Sequence, residues 1–453
     1  GSHLRMCCFF PRQSEKIKNL FLFRECFVCF PCCEKNCRML VYMLEDENSI
    51  QKKLNIRGNA TMSSSFSPGA EDKIPYAPLG IISLVGSQEL GSMVDTNLVQ
   101  QRRFNVENGH VPLHFPAYLR DSYLIDHATP RFASGEGKAI LRDSVRGHDI
   151  FILADISNYS CTYKLFGHDC RMSPDDHFQD IKRVIAAVGG KARRITVIMP
   201  LLYESRQHKK SARESLDCAL ALQELEHLGI NNIITFDAHD ARVQNAIPLG
   251  SFENIQPTYQ MVKALVKEYP DIKISKEKMI VISPDEGGMS RCLYFASMLG
   301  LDVGMFYKRR DYSRIVNGRN PIVSHEFLGD SVAGKDVLIV DDMISSGESV
   351  IEIARELKRR DAARISIAVT FGLFTEGVEA FNQCYEEGII SRVFSTNLTY
   401  RPQEVLDAPW SVNVDMSKFL SLIIDTLNHD QSISSLLSPA EKINALLAKV
   451  KNK

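Results

Sequence analysis

Val337-Leu338-Ile339-Val340 runs without a break into Asp341-Asp342, a loop of Met343-Ile344-Ser345-Ser346-Gly347, and a helical pattern from Glu348 onward. Four β-branched or leucine residues in succession predict a strand buried on both faces, the habit of a parallel sheet covered by helices. Behind the loop, Val350, Ile353, Ala354 and Leu357 fall at i, i+3, i+4 and i+7, and Ser349 with Glu352 predicts a capping box. Strand, acidic pair, small-residue loop and helix start together make a cradle for a sugar phosphate. Backbone N–H groups and the positive helix end would face the phosphate, while Asp341 and Asp342 would accept hydrogen bonds from vicinal hydroxyls. The alternative is an ordinary βα turn with solvated aspartates, so context decides.

That context is a steady alternation of strand and helix. Strands are predicted at Leu79–Val85, Ile150–Leu153, Ile195–Met199, Asn232–Phe236, Met279–Ser283, Val303–Tyr307, Ile365–Thr370 and Arg392–Ser395. Amphipathic helical stretches lie between them at Phe178–Val188, Ser215–Leu228, Tyr259–Glu268 and Gly287–Leu299. This spacing predicts an α/β chain with two doubly wound, mostly parallel sheets, the boundary falling near Ser251. The expected parts are residues 1–75 as leader and linker, 76–250 and 251–437 as the two domains, and 438–453 as a C-terminal helix. Asn105–Pro130 has no clear periodicity and reads as an irregular insertion.

A net charge of −1 over 453 residues gives no electrostatic footprint for nucleic acid or an anionic membrane, and no run of eighteen apolar residues predicts a bilayer span. Seven of the twelve cysteines, Cys7, Cys8, Cys26, Cys29, Cys32, Cys33 and Cys37, fall in the first 37 residues. Without a second ligand pair they read as part of a disordered leader rather than a metal site, with Met62 as a candidate true start. The first three residues, Gly1-Ser2-His3, read as a tag-cleavage scar. The other five cysteines, scattered through an enzyme-like chain, predict free thiols in a reducing cytoplasm.

Ligands of open α/β sheets sit beyond the carboxyl ends of the strands. There the chain carries Asp237-Ala238-His239-Asp240, Pro284-Asp285-Glu286-Gly287-Gly288, Lys308-Arg309-Arg310, and Tyr203 to Lys210 with Arg206 and Gln207. Histidine and aspartate suit Mg²⁺ or its waters, and lysine and arginine clusters neutralise phosphates. Each has a bland reading as a turn or a solvated face, but together with the cradle they point to phosphate chemistry.

These residues resemble the ribose-phosphate pyrophosphokinases. The resemblance covers roughly residues 79–437 and is carried by Asp143-Ser144-Val145-Arg146-Gly147-His148-Asp149, Ile233 to His239, Ile282 to Gly288 and Val337 to Ser349. It implies two type I phosphoribosyltransferase-like domains with a site between them, Mg²⁺ as cofactor, ATP and ribose 5-phosphate as partners, and self-association. By that resemblance His239 and Asp285 are metal-linked, His239, Arg206 and Gln207 contact ATP, and Phe132, Ser134 and Glu136 form an adenine pocket for a neighbouring subunit. Asp341, Asp342, Ser345, Ser346, Gly347, Glu348 and Ser349 form the ribose 5-phosphate loop, and Lys308 and Arg310 lie on a mobile catalytic loop.

The chain departs from that family pattern at Ser345, where an aspartate is usual, at Glu348, where a glycine is usual, and in an extra stretch around Asn158–Pro174. Two other readings stay open: a regulatory subunit that has lost turnover, and a phosphoribosyltransferase that consumes the activated sugar. At the end of the chain, Ser438-Pro439-Ala440-Glu441 predicts a capped helix whose apolar stripe packs on its own subunit or a neighbour.

Overall fold

The computed structural model describes residues 74–108, 115, 117–310 and 322–451, with side chains described outside 308–325 and up to 449. The cysteine-rich segment lies outside the described residues.

The first half contains β1 (Leu79–Ser83), β2 (His127–Ala128), β3 (Ile140–Leu141), β4 (Asp149–Leu153), β5 (Thr162–Leu165), β6 (His168–Arg171), β7 (Arg194–Ile198), β8 (Asn232–Phe236) and β9 (Ser251–Ile255). Its helices are α1 (Gln88–Glu107), α2 (Pro174–Val188) and α3 (Asp217–His227). The second half contains β10 (Met279–Ser283), β11 (Asp302–Arg310), β12 (Ile322–Leu328), β13 (Asp336–Ile344), β14 (Arg364–Gly372), β15 (Arg392–Thr396) and β16 (Ser411–Val414). Its helices are α4 (Thr258–Glu268), α5 (Met289–Leu299), α6 (Glu348–Arg359), α7 (Glu379–Glu386), α8 (Gln403–Asp407), α9 (Ser417–Asn428), α10 (Ser434–Leu437) and α11 (Ala440–Lys451).

The sheets run β1-β4-β7-β8-β9 and β12-β11-β10-β13-β14-β15-β16, parallel throughout except where β11 meets β12. The five strands from β10 to β16 therefore repeat the succession of the first sheet, with β11 and β12 added at one edge. The apolar runs form the interior: every residue of β1, β4 and β10 is buried. Local chemistry agrees with the topology at α2, where Ser173 and Asp176 close a reciprocal capping box, Pro174 opens the helix, and Gly189 ends it in the left-handed region.

Two expectations about domain bounds need correction, and two further stretches gain a defined structure. The boundary at Ser251 cuts the first sheet, because β9 pairs with β8 from Asn232↔Ser251 to Phe236↔Ile255; its polar sequence hid it. The helix α9 returns to the first half, where Arg102 donates to Asp425 at 2.7 Å and to Asn428 at 2.6 Å. The stretch around Asn158–Pro174 is the antiparallel hairpin β5–β6, whose Phe166 N–H donates to the Ala133 carbonyl. The region 105–130 contains the ordered strand β2, which pairs with β3. The C-terminal helix α11 packs on α4 and α5 of its own chain, with Ile443 fully buried.

A second polar tie fixes the return of α9. Arg194 clasps Asp149 through Nε at 2.9 Å and Nη2 at 2.7 Å, and Asn428 donates to the same carboxylate at 2.9 Å. Asp149→Ala would leave the largely buried Arg194 with only the exposed Asp430 carboxylate as a charged partner, so urea unfolding should register a loss of about 3 kcal/mol or more. A loss below about 1 kcal/mol would mean that this clasp does not hold the halves together.

Candidate active site

The acidic pair lies inside β13 rather than beyond it. Cross-strand pairing to β10 reaches Ile339, while pairing to β14 continues from Asp341↔Val369 to Ile344↔Gly372, so the aspartates project past the end of β10 beside Ser283-Pro284-Asp285. Ser283 Oγ donates to the Asp285 carbonyl, and Asp285 Oδ1 accepts from the Gly288 N–H at 3.2 Å. The loop after β13 ends at Gly347, which caps α6 with φ at 88°. A side chain there would be strained and would run into Phe381. Gly347 thus takes the cap position, and the expected Ser349–Glu352 capping box is not the start of the helix: Ser349 already lies in the first turn. Ser345 and Ser346 are half-buried, and the Glu348 side chain is exposed to solvent.

The two aspartates have separate environments. Asp342 is 3% exposed, and its Oδ2 accepts from His239 Nδ1 at 2.7 Å across the seam between the halves. Asp341 keeps a side-chain exposure of 28% and is the member of the pair open to a ligand. Asp342 thus commits one carboxylate oxygen to His239. Arg291, in the first turn of α5, stands between them. Its Nε donates to Asp237 at 2.7 Å, and its other nitrogens lie 3.7 Å from Asp341 and 3.9 Å from Asp342. Thr370 donates to the second Asp237 oxygen at 2.6 Å. Asp237 itself adopts φ at 40°, in the left-handed region, just after β8.

The electrostatics follow from this geometry. Burial pulls the Arg291 pKa down, and Asp237, Asp342 and Asp341 more than restore it, so the guanidinium stays charged. Burial and the neighbouring Asp342 push Asp341 well up. Burial also opposes ionisation of Asp342, but the His239 hydrogen bond and Arg291 outweigh it and hold its pKa down. His239 is raised, first by its bond to Asp342 and against the effect of burial. His208 packs at 5.3 Å between ring centroids from His239, and its Nε2 lies 3.5 Å from Asp240.

Beside this network lies a cleft of about 680 Å³, lined in part by His208, Lys209, His239, Arg242, Glu286 and Arg291. Arg206 and Gln207 are exposed in the segment leading to His208. Phe132, Ser134 and Glu136 form a separate turn, closed by a Ser134–Glu136 hydrogen bond and covered by Lys138 over the Phe132 ring; none of the three lines the cleft of its own chain. Lys308 and Arg310 lie at the end of β11, paired with His325 and Ile322 of β12, so strand backbone carries them where a loop was expected. Their side chains lie outside the described residues.

Among the described residues, no three His, Cys, Asp or Glu side chains are grouped to hold a metal ion. The His239 ring leaves Nε2 without a protein partner among the described residues, and Asp285 offers a carboxylate. Such a sparse set fits Mg²⁺ held mainly through substrate phosphates and water, as this hard and strongly hydrated cation commonly is. Arg291 and Thr370 were not singled out by sequence, whereas Asp237 and His208 stood within the strand-end runs without a role of their own. The one available signal was a lone arginine preceding the apolar residues Cys292, Phe295, Ala296 and Leu299.

The His239–Asp342 bond predicts a titration. The His239 contribution to stability is complete below its unfolded-chain pKa and is lost as pH rises through its raised folded value. The Asp342 contribution is complete above its unfolded-chain pKa and is lost as pH falls through its lowered value. In Asp342→Asn, the His239 pKa followed by NMR should fall relative to the parent protein. An unchanged pKa would show that the bond does not control the imidazole.

Residues 79–229 match the N-terminal domain of ribose phosphate pyrophosphokinase, and residues 249–387 match the phosphoribosyl transferase domain. A ribose-phosphate pyrophosphokinase of Mycoplasma pneumoniae is 28% identical over 310 residues, covering 67% of this chain and 85% of that protein. One from Mycoplasma genitalium is 30% identical over 270 residues, covering 59% of this chain and 73% of its own. In fold, the crystal structure of phosphoribosylpyrophosphate synthetase from Mycobacterium smegmatis matches with a TM-score of 0.61 at 22% identity, over 78% of this chain and 99% of that one. With its two phosphoribosyltransferase-like halves meeting at the Arg291 network, the chain belongs to the ribose-phosphate pyrophosphokinase family of enzymes.

Proposed function

We propose that the chain transfers the β,γ-diphosphoryl group of ATP to the 1-hydroxyl of ribose 5-phosphate, giving phosphoribosyl pyrophosphate and AMP. The observation that carries this reading is the direct His239–Asp342 contact, which couples a strand end of the first half to the sugar-phosphate loop of the second. The sugar oxygen forms the new bond to the β-phosphorus, the bond from that phosphorus to the α-phosphate bridging oxygen breaks, AMP departs, and the hydroxyl proton is released.

In this reading Asp341 accepts from the ribose hydroxyls, and the loop from Ser345 to Ser349 receives the 5-phosphate through backbone N–H groups at the start of α6. Ser345, shorter than aspartate and neutral, leaves its ribose contact weaker or bridged by water. Arg206, Gln207 and the His239 Nε2 face ATP, with Arg291 holding Asp237 in place through its Nε hydrogen bond. Mg²⁺, when bound with the phosphates, supplies charge neutralisation and orientation. Lys308 and Arg310 act on the charge of the transferring group, since such transfers are governed by positioning and electrostatic stabilisation. Phe132, Ser134 and Glu136 serve the adenine of a neighbouring subunit, which makes the working enzyme an oligomer.

Incubation with ATP, Mg²⁺ and ribose 5-phosphate should yield AMP and phosphoribosyl pyrophosphate in equal amounts. AMP without the sugar product, or neither, would overturn the assignment. Lys308→Ala or Arg310→Ala should lower kcat about 10²-fold with a smaller change in KM. A raised KM at constant kcat would instead make them ground-state binders.

A further inference from the structure

The repeated topology brings a second cavity, of about 250 Å³, to the carboxyl ends of β1 and β4 in the first half. Let Ser83, the last residue of five-residue β1, stand level with Ser283, the last of five-residue β10. Counting across the pairings then places Asp155 level with Asp342 and Thr399 level with His239. The correspondence extends to contacts. Asp155, like Asp342, is 3% exposed and accepts across the seam, here from the Tyr400 N–H at 2.6 Å. The cavity is thus the first half's counterpart of the sugar-phosphate site.

Its lining joins a buried cation to a buried hydroxyl. Arg401 lines it at 8% exposure and donates only to neutral acceptors: the Ser395 carbonyl and hydroxyl, both at 3.3 Å, and Asn413 Oδ1 at 2.7 Å. Among the described residues, no carboxylate lies within ion-pair distance of this guanidinium, an expensive arrangement for a buried charge. Thr399, 5% exposed and also lining the cavity, has a hydroxyl with no hydrogen-bond partner among the described residues. The amino-terminal end of α1, which has no side-chain cap, borders the same space through Ser87, Gln88 and Glu89.

Two carboxylates border the cavity. Glu89 is exposed to solvent, and Asp155 has both oxygens engaged, by Ser157 and by Tyr400. Burial pushes the Asp155 pKa up, against the hydrogen bonds from Ser157 and Tyr400 that lower it.

We propose that this cavity binds a phosphate oxyanion, free or carried by a small phosphomonoester, between Arg401, Thr399 and the start of α1. The site is separate from the cleft at His239 and does not depend on the reaction proposed there.

Crystals of the full chain, grown without phosphate and soaked in arsenate as the probe, should give an anomalous arsenic peak within hydrogen-bonding reach of Arg401. Loss of the peak on adding glycerol 3-phosphate would mark a site for a phosphomonoester, and its persistence a site for the free ion. Arg401→Met should abolish the peak. No peak in the parent protein, or an equal peak in Arg401→Met, meaning an adventitious ion only, would overturn the proposal. If Arg401→Met does not fold, Thr399→Val, which removes only the hydroxyl, should weaken arsenate binding about fivefold. Unchanged affinity in that variant would count against the site.

Discussion

Arg291 carries a positive charge into the seam between two sheets, where solvent reaches it only from the cleft. Its side chain is 11% exposed, and its partners come from both halves: Asp237 from the end of β8, and Asp341 and Asp342 from β13. A charge so placed is tolerable only if those carboxylates stay close, and removal of one would leave the others mismatched. The halves are therefore registered at the point where the strand ends meet. Registration matters for chemistry because a transfer between two bound substrates depends on holding the reacting atoms in line.

The same seam is tied at its other side by Arg194, Asp149 and Asn428, and by Arg102 with Asp425. With α9 lying against α1, the last part of the second half is anchored on the first. Hinge motion that opens the cleft would have to strain one set of these bonds.

The interior was legible in the sequence because strands buried on both faces leave unbroken apolar runs. Ile150 to Leu153 and Met279 to Ser283 need no other signal. The edges were not legible. In β9, Ser-Phe-Glu-Asn-Ile is partly exposed and mostly polar, and β5, Thr-Tyr-Lys-Leu, alternates on the surface without a core face. The loop after β13 was readable from its small residues, but the helix start was displaced because Gly347 could take a backbone conformation denied to serine. His239 and Asp342 were both identifiable as strand-end polar residues, whereas their mutual bond was not, since it depends on how two sheets face one another. Arg291 was hidden for the same reason: its helical position was predictable, but not the seam toward which it points.

The most direct measurement of the central claim is a double-mutant cycle on Asp237 and Arg291, using Asp237→Asn, Arg291→Met and the combination, read by chemical unfolding of the full chain. If the pair locks the halves, the two substitutions should be coupled by about 1–3 kcal/mol, with the double variant less destabilised than the sum of the single ones. Effects that add to within about 0.3 kcal/mol would contradict the account and would reduce Arg291 to one polar contact among many.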